Sequence, residues 1–80
     1  MTLNEMKAGE SGVIEAVHCE KILRRRLLDM GLTPKTRIMV RKVAPLGDPM
    51  EVSLRGYELT LRKDDASNIE VKEVRPCLLK

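Results

Sequence analysis

The chain has 80 residues, 42% of them hydrophobic, yet it holds no Trp, no Phe and a single Tyr; a domain of this size buries only about 60% of the surface its unfolded chain exposes. The core is therefore thin and aliphatic, which leaves little room for a deep pocket. The 15 Lys and Arg against 12 Asp and Glu give a net charge of +3, and apart from Arg24-Arg25-Arg26 the signs are interspersed, unlike the extended basic arm or face of a dedicated nucleic-acid binder.

Along the chain, Leu3 and Met6 are expected to anchor the N-terminal segment on the core, and Gly9 and Gly12 to turn it into a first strand, Val13 to Val17. Val17-His18-Cys19-Glu20 then leads to a helix from about Lys21 to Met30, with Leu23, Leu27 and Met30 at i, i+4 and i+7. Ile22 and Leu28 are expected to widen this stripe, and Arg24 and Arg25 to face solvent. Gly31 stands where a left-handed residue closes a helix, Leu32 can fold back on it, and Pro34 cannot continue it. A second strand spans Thr36 to Val43, with its alternation broken near Lys42, which predicts a bulge.

Ala44-Pro45-Leu46-Gly47-Asp48-Pro49 reads as a loop made rigid by two prolines. Met50, Val52 and Leu54 alternate with polar residues, as do Tyr57, Leu59 and Leu61 beyond Arg55-Gly56, a hairpin pattern. Lys63 to Ser67 is a polar crossover with one short helical turn; Ile69 to Val74 forms the last strand, and Pro76 ends it. One helix of useful length cannot wind a parallel sheet. The expected fold is mainly β: a small, partly open five-stranded antiparallel barrel, with one helix inserted after the first strand and covering an opening. Residues 1–75 form the single domain and 76–80 a short tail.

No nucleophile, acid or base with an orienting partner is evident, so the chain does not read as an enzyme. His18, the only histidine, lies beside Cys19 with Glu15 and Glu20 near in sequence. Imidazole, thiolate and carboxylate could take Fe2+ or Zn2+, although neighbours in an extended segment point to opposite sides; a solvated loop that requires no cofactor is the simpler reading. Cys77 would join only if the tail returned past that loop. With two cysteines and no Cys-x-x-Cys spacing, neither a disulfide scaffold nor a structural zinc site is indicated. Nothing approaches the roughly 18 apolar residues of a membrane span, and no basic head precedes an apolar run at the N-terminus. The chain reads as cytoplasmic, reaching a membrane only through a partner.

The arginine run with Lys21, Arg37, Arg41 and Lys42 could meet phosphates, but single-strand readers stack bases on aromatics and Tyr57 stands alone. Nucleic acid is thus the weaker alternative. Leu46 in its proline-bounded loop, and Met39 opposite the core-facing Ile38 and Val40, look unnecessary to a core; exposed apolar side chains near a rigid loop are how a small barrel without a cleft contacts a protein. Together with Asp48, Arg24 and Arg25 they make the candidate partner-binding set.

These motifs resemble the FeoA family. The likeness runs from Leu28, Met30, Gly31, Leu32 and Pro34 through Ile38, Val40, Ala44, Pro45, Gly47, Asp48 and Pro49 to Gly56, Leu61, Arg62, Ala66 and Ile69. Lys35 departs from it, standing where the family commonly has Gly. The resemblance implies an SH3-like barrel and a cytosolic accessory protein that supports ferrous iron uptake by docking on the cytoplasmic, GTP-binding region of FeoB, a membrane transporter. A weak homo-oligomer is compatible with it. A similar domain closes iron-dependent repressors of the diphtheria-toxin-repressor type, but this chain carries no helix-turn-helix segment.

Overall fold

A computed structural model describes residues 1–76. After a 3₁₀ turn at Leu3–Glu5 come β1 (Glu10–Val17), α1 (Lys21–Asp29), β2 (Arg37–Val43), β3 (Met50–Leu54), β4 (Tyr57–Leu61), α2 (Lys63–Ala66) and β5 (Ile69–Pro76). The strands form one antiparallel sheet in the order β4-β3-β2-β1-β5. β4 and β5 end the sheet without pairing to each other among the described residues, so the barrel is open. All five strands nevertheless feed one core, with Ile14, Ile38, Val40, Val52 and Ile69 each at 0% exposure and Leu61 of β4 at 2%. Leu3 and Met6 close it from the N-terminal side, as their pattern predicts.

The strands depart from expectation at their ends. β1 starts three residues earlier than Val13, because only Gly9, at φ +92°, makes the turn, whereas Gly12 lies within the strand. A Cβ on Gly12 would sit 3.2 Å from the Lys72 carbonyl oxygen; this glycine serves close strand approach. β5 continues past Val74, and Pro76 pairs with Glu10. The bulge expected near Lys42 is present, as the register shifts between Val40 and Lys42. Arg55 and Gly56, at φ +49° and +85°, supply the two positive-φ residues of a two-residue hairpin turn. The expectations for Cys77 and for the tail beyond Pro76 lie outside the described residues.

Helix α1 is held mainly by Leu27, 1% exposed, with Leu23, Leu28 and Met30 partly buried against the core. Ile22 does not widen the stripe. It is 77% exposed, because about 100° per residue carries it to the side away from Leu27. The helix ends in a Schellman arrangement: Leu32 N–H donates to Leu27 C=O at 3.1 Å and Gly31 N–H to Leu28 C=O at 3.0 Å, with Gly31 at φ +97°. Leu32, at 0% exposure, packs into the core.

Candidate functional site

Two regions next to the helix exit and the proline loop gather the residues that the sequence singles out. The helix exit itself is clasped by the β3–β4 hairpin. The Tyr57 hydroxyl donates to the Met30 carbonyl, and Arg55 donates to the Thr33 and Thr36 hydroxyl oxygens at 2.9 and 3.0 Å. Thr33 and Thr36 are themselves 2.8 Å apart. Between them, Lys35 adopts φ +74° and gives its N–H to Ile14 C=O at 2.7 Å. This is the physical reason glycine suits that position: the turn demands a left-handed residue. Tyr57, in the sequence a hairpin residue and the lone aromatic for base stacking, is thus a tie between hairpin and helix. Nothing in the local pattern signals it, since its partner lies 27 residues away.

The first region is the 44–49 loop. Ala44 N–H donates to Pro49 C=O at 3.0 Å and Gly47 N–H to Ala44 C=O at 2.7 Å, so the loop is cross-braced by its own backbone. Asp48 Oδ1 accepts the Lys63 N–H at 3.0 Å, which ties the loop to the first residue of α2 and satisfies one of that helix's free donors. Leu46 is left 92% exposed. Nearby, a shallow hollow of about 400 Å³ is lined by Val43, Ala44, Pro45, Pro49 and Met50, with Lys42, Glu51 and Thr60 around it. Met39 is not the exposed apolar residue expected. It is half-buried, paired in register with Ser11 of β1 and Ser53 of β3.

The second region surrounds the start of α1. A hollow of about 440 Å³ is lined by Glu15, His18, Cys19, Arg24, Leu28 and Pro34, among others. The chain turn at 17–20 therefore brings Glu15, His18 and Cys19 to one hollow despite the alternation of an extended segment. Glu15 and His18 are exposed and Cys19 is half-buried. Among the described residues, no three His, Cys, Asp or Glu side chains are grouped closely enough to hold a metal ion. Arg24 also borders an adjoining hollow with Lys21, Arg25, Leu28 and Asp29. Loop 44–49 is thus a rigid apolar projection and the start of α1 a polar, cationic surface. None of the described helices is long and apolar enough to cross a membrane.

Comparison with known proteins gives these surfaces a context. The FeoA domain family model matches residues 1–73. A fusion protein of Fe(2+) transport protein A and the Fe(2+) transporter FeoB from Porphyromonas gingivalis is 38% identical over 72 residues; the match takes in 90% of this chain but only 8% of the fusion. The solved FeoA structure from Chlorobium tepidum superposes with a TM-score of 0.81 at 44% identity, covering 89% of this chain and 68% of that one. FeoA from Stenotrophomonas maltophilia, solved in complex with zinc and described as an SH3 domain protein, superposes at 0.84 with 25% identity over 96% of this chain and 98% of that one. The fold is thus shared over nearly the whole length of this chain, and the chain belongs to the FeoA family of small accessory domains for ferrous iron transport.

Proposed function

We propose that this chain is a non-enzymatic, cytoplasmic adaptor that docks on the cytoplasmic, GTP-binding region of a FeoB-type transporter and so supports ferrous iron uptake. The observation that carries this reading is the Porphyromonas gingivalis relative, in which the two parts are one polypeptide; covalent fusion supplies a high effective concentration to modules that work in contact. Leu46 is the residue best suited to that contact. It is 92% exposed on a loop braced at both ends, so burying it under a partner costs little ordering entropy. Calorimetric titration of the transporter's cytoplasmic region tests the reading: saturable binding that weakens at least about tenfold in Leu46→Asp, the loss of a buried apolar anchor, supports it. Absence of binding with and without a GTP analogue removes it.

A second reading, a metal site for Fe2+ or Zn2+ at Glu15, His18 and Cys19, is favoured by their shared hollow and by the zinc complex of the Stenotrophomonas maltophilia relative. Zinc titration of the wild type and of His18→Ala decides it: equal heats in both leave these three residues without a metal role.

A further inference from the structure

The outward face of α1 is unexplained by the fold. Lys21, Arg24, Arg25 and Arg26 are all exposed, and none is in a salt bridge or a side-chain hydrogen bond among the described residues, where the ion pairs are Met1–Glu70 and Arg41–Glu58. Acids are few on this element: Glu20 precedes it and Asp29 ends it. Ile22 stands on the same outward arc at 77% exposure. At about 100° per residue it falls between Arg25 and Arg26, on the side opposite the buried Leu27. A solubilising face needs the cations but not the isoleucine, and a core helix needs neither.

We infer that this face of α1 seats the protein on the surface of an anionic phospholipid bilayer, with Lys21, Arg25 and Arg26 at the headgroup phosphates and Ile22 dipping between them. The geometry suits a flat polyanion. The cations are all exposed on one outward helix face, where the hollow that Lys21, Arg24 and Arg25 border is open to solvent, they carry an excess of positive charge over Asp29, and the apolar side chain is exposed among them, as on a helix lying in the plane of an interface. Each such cation near an anionic leaflet strengthens association about fivefold, so three or four give weak, reversible recruitment and not anchoring. The inference goes beyond docking on a transporter and does not depend on it; binding to a membrane and to a membrane-embedded partner would reinforce each other.

The test is co-sedimentation of the whole chain with vesicles of one-third phosphatidylglycerol in phosphatidylcholine, against vesicles of phosphatidylcholine alone. Binding to the anionic vesicles only is expected, lost at about 1 M salt, where the screening length falls to about 3 Å. Lys21→Glu with Arg25→Glu should reduce it at least about 25-fold, and Ile22→Ser several-fold, both with unchanged melting temperature because all three side chains are exposed. The proposal is overturned if the wild type ignores anionic vesicles at low salt, or if the double charge reversal binds them as well as the wild type does. It is equally overturned if vesicle binding is absent while the double reversal abolishes binding to the transporter's cytoplasmic region; the face then belongs to an acidic protein surface.

Discussion

Leu27 and Leu46 share a side chain and nothing else: one is 1% exposed within the core and the other 92% exposed on a braced loop. Placing a carboxylate at each separates stability from binding. Leu27→Asp buries an unpaired charge and should unfold the domain, which circular dichroism would read directly. Leu46→Asp should change the unfolding free energy by no more than the scatter of surface changes, about 0.5 kcal/mol; equal losses in both would put Leu46 in the core. The backbone makes similar distinctions. Gly31 and Gly9 both have positive φ, but a Cβ on Gly31 would meet the Tyr57 hydroxyl at 2.8 Å and one on Gly9 meets nothing within 4 Å. Gly9→Ala should therefore cost about 1 kcal/mol, the left-handed penalty alone, and Gly31→Ala clearly more in chemical denaturation. Lys35 runs the other way: at φ +74° it bears that penalty in the wild type, so Lys35→Gly should stabilise the protein by about 0.5–1 kcal/mol.

At the scale of elements, the helix exit was the most legible part of the chain. Gly31, Leu32 and Pro34 each have a local mechanical role, and the Schellman hydrogen bonds follow from them without reference to distant residues. The hairpin at Arg55-Gly56 and the bulge between Val40 and Lys42 are local in the same way. What the pattern could not supply are ties across sequence distance: Tyr57 to Met30, Arg55 to Thr33 and Thr36, Asp48 to Lys63. Asp48 in particular reads from the sequence as a partner-binding residue in a turn, and it lies exposed, yet its carboxylate already holds the first N–H of α2. Asp48→Ala should cost about 1 kcal/mol, as the loss of a helix N-terminal acceptor does, or roughly 4–8 °C in melting temperature for a domain of this size; an unchanged melting temperature would leave Asp48 free of that structural duty. Ile22 departs from expectation for a different reason: five positions from Leu27 is about 140° round a helix, which turns an apolar side chain to solvent whatever its hydrophobicity.

At the scale of the whole molecule, a thin aliphatic core and an open sheet hold hollows that are shallow at the surface, and the distinctive features lie on the outside. They divide into an apolar projection at Leu46 and a cationic helix face around Ile22. The mainly β architecture was legible because period-two runs and glycine turns specify it nearly alone. The docking surfaces were legible only in part, since exposure depends on what the rest of the chain covers: Met39 was expected outside and lies half-buried between Ser11 and Ser53. The most direct check of the adaptor reading is an NMR titration of isotope-labelled protein with the cytoplasmic region of a FeoB-type transporter, with and without a GTP analogue. Saturable amide shifts centred on residues 44–49 and the helix exit at 30–36 are the predicted result; the absence of shifts in both nucleotide states would contradict it.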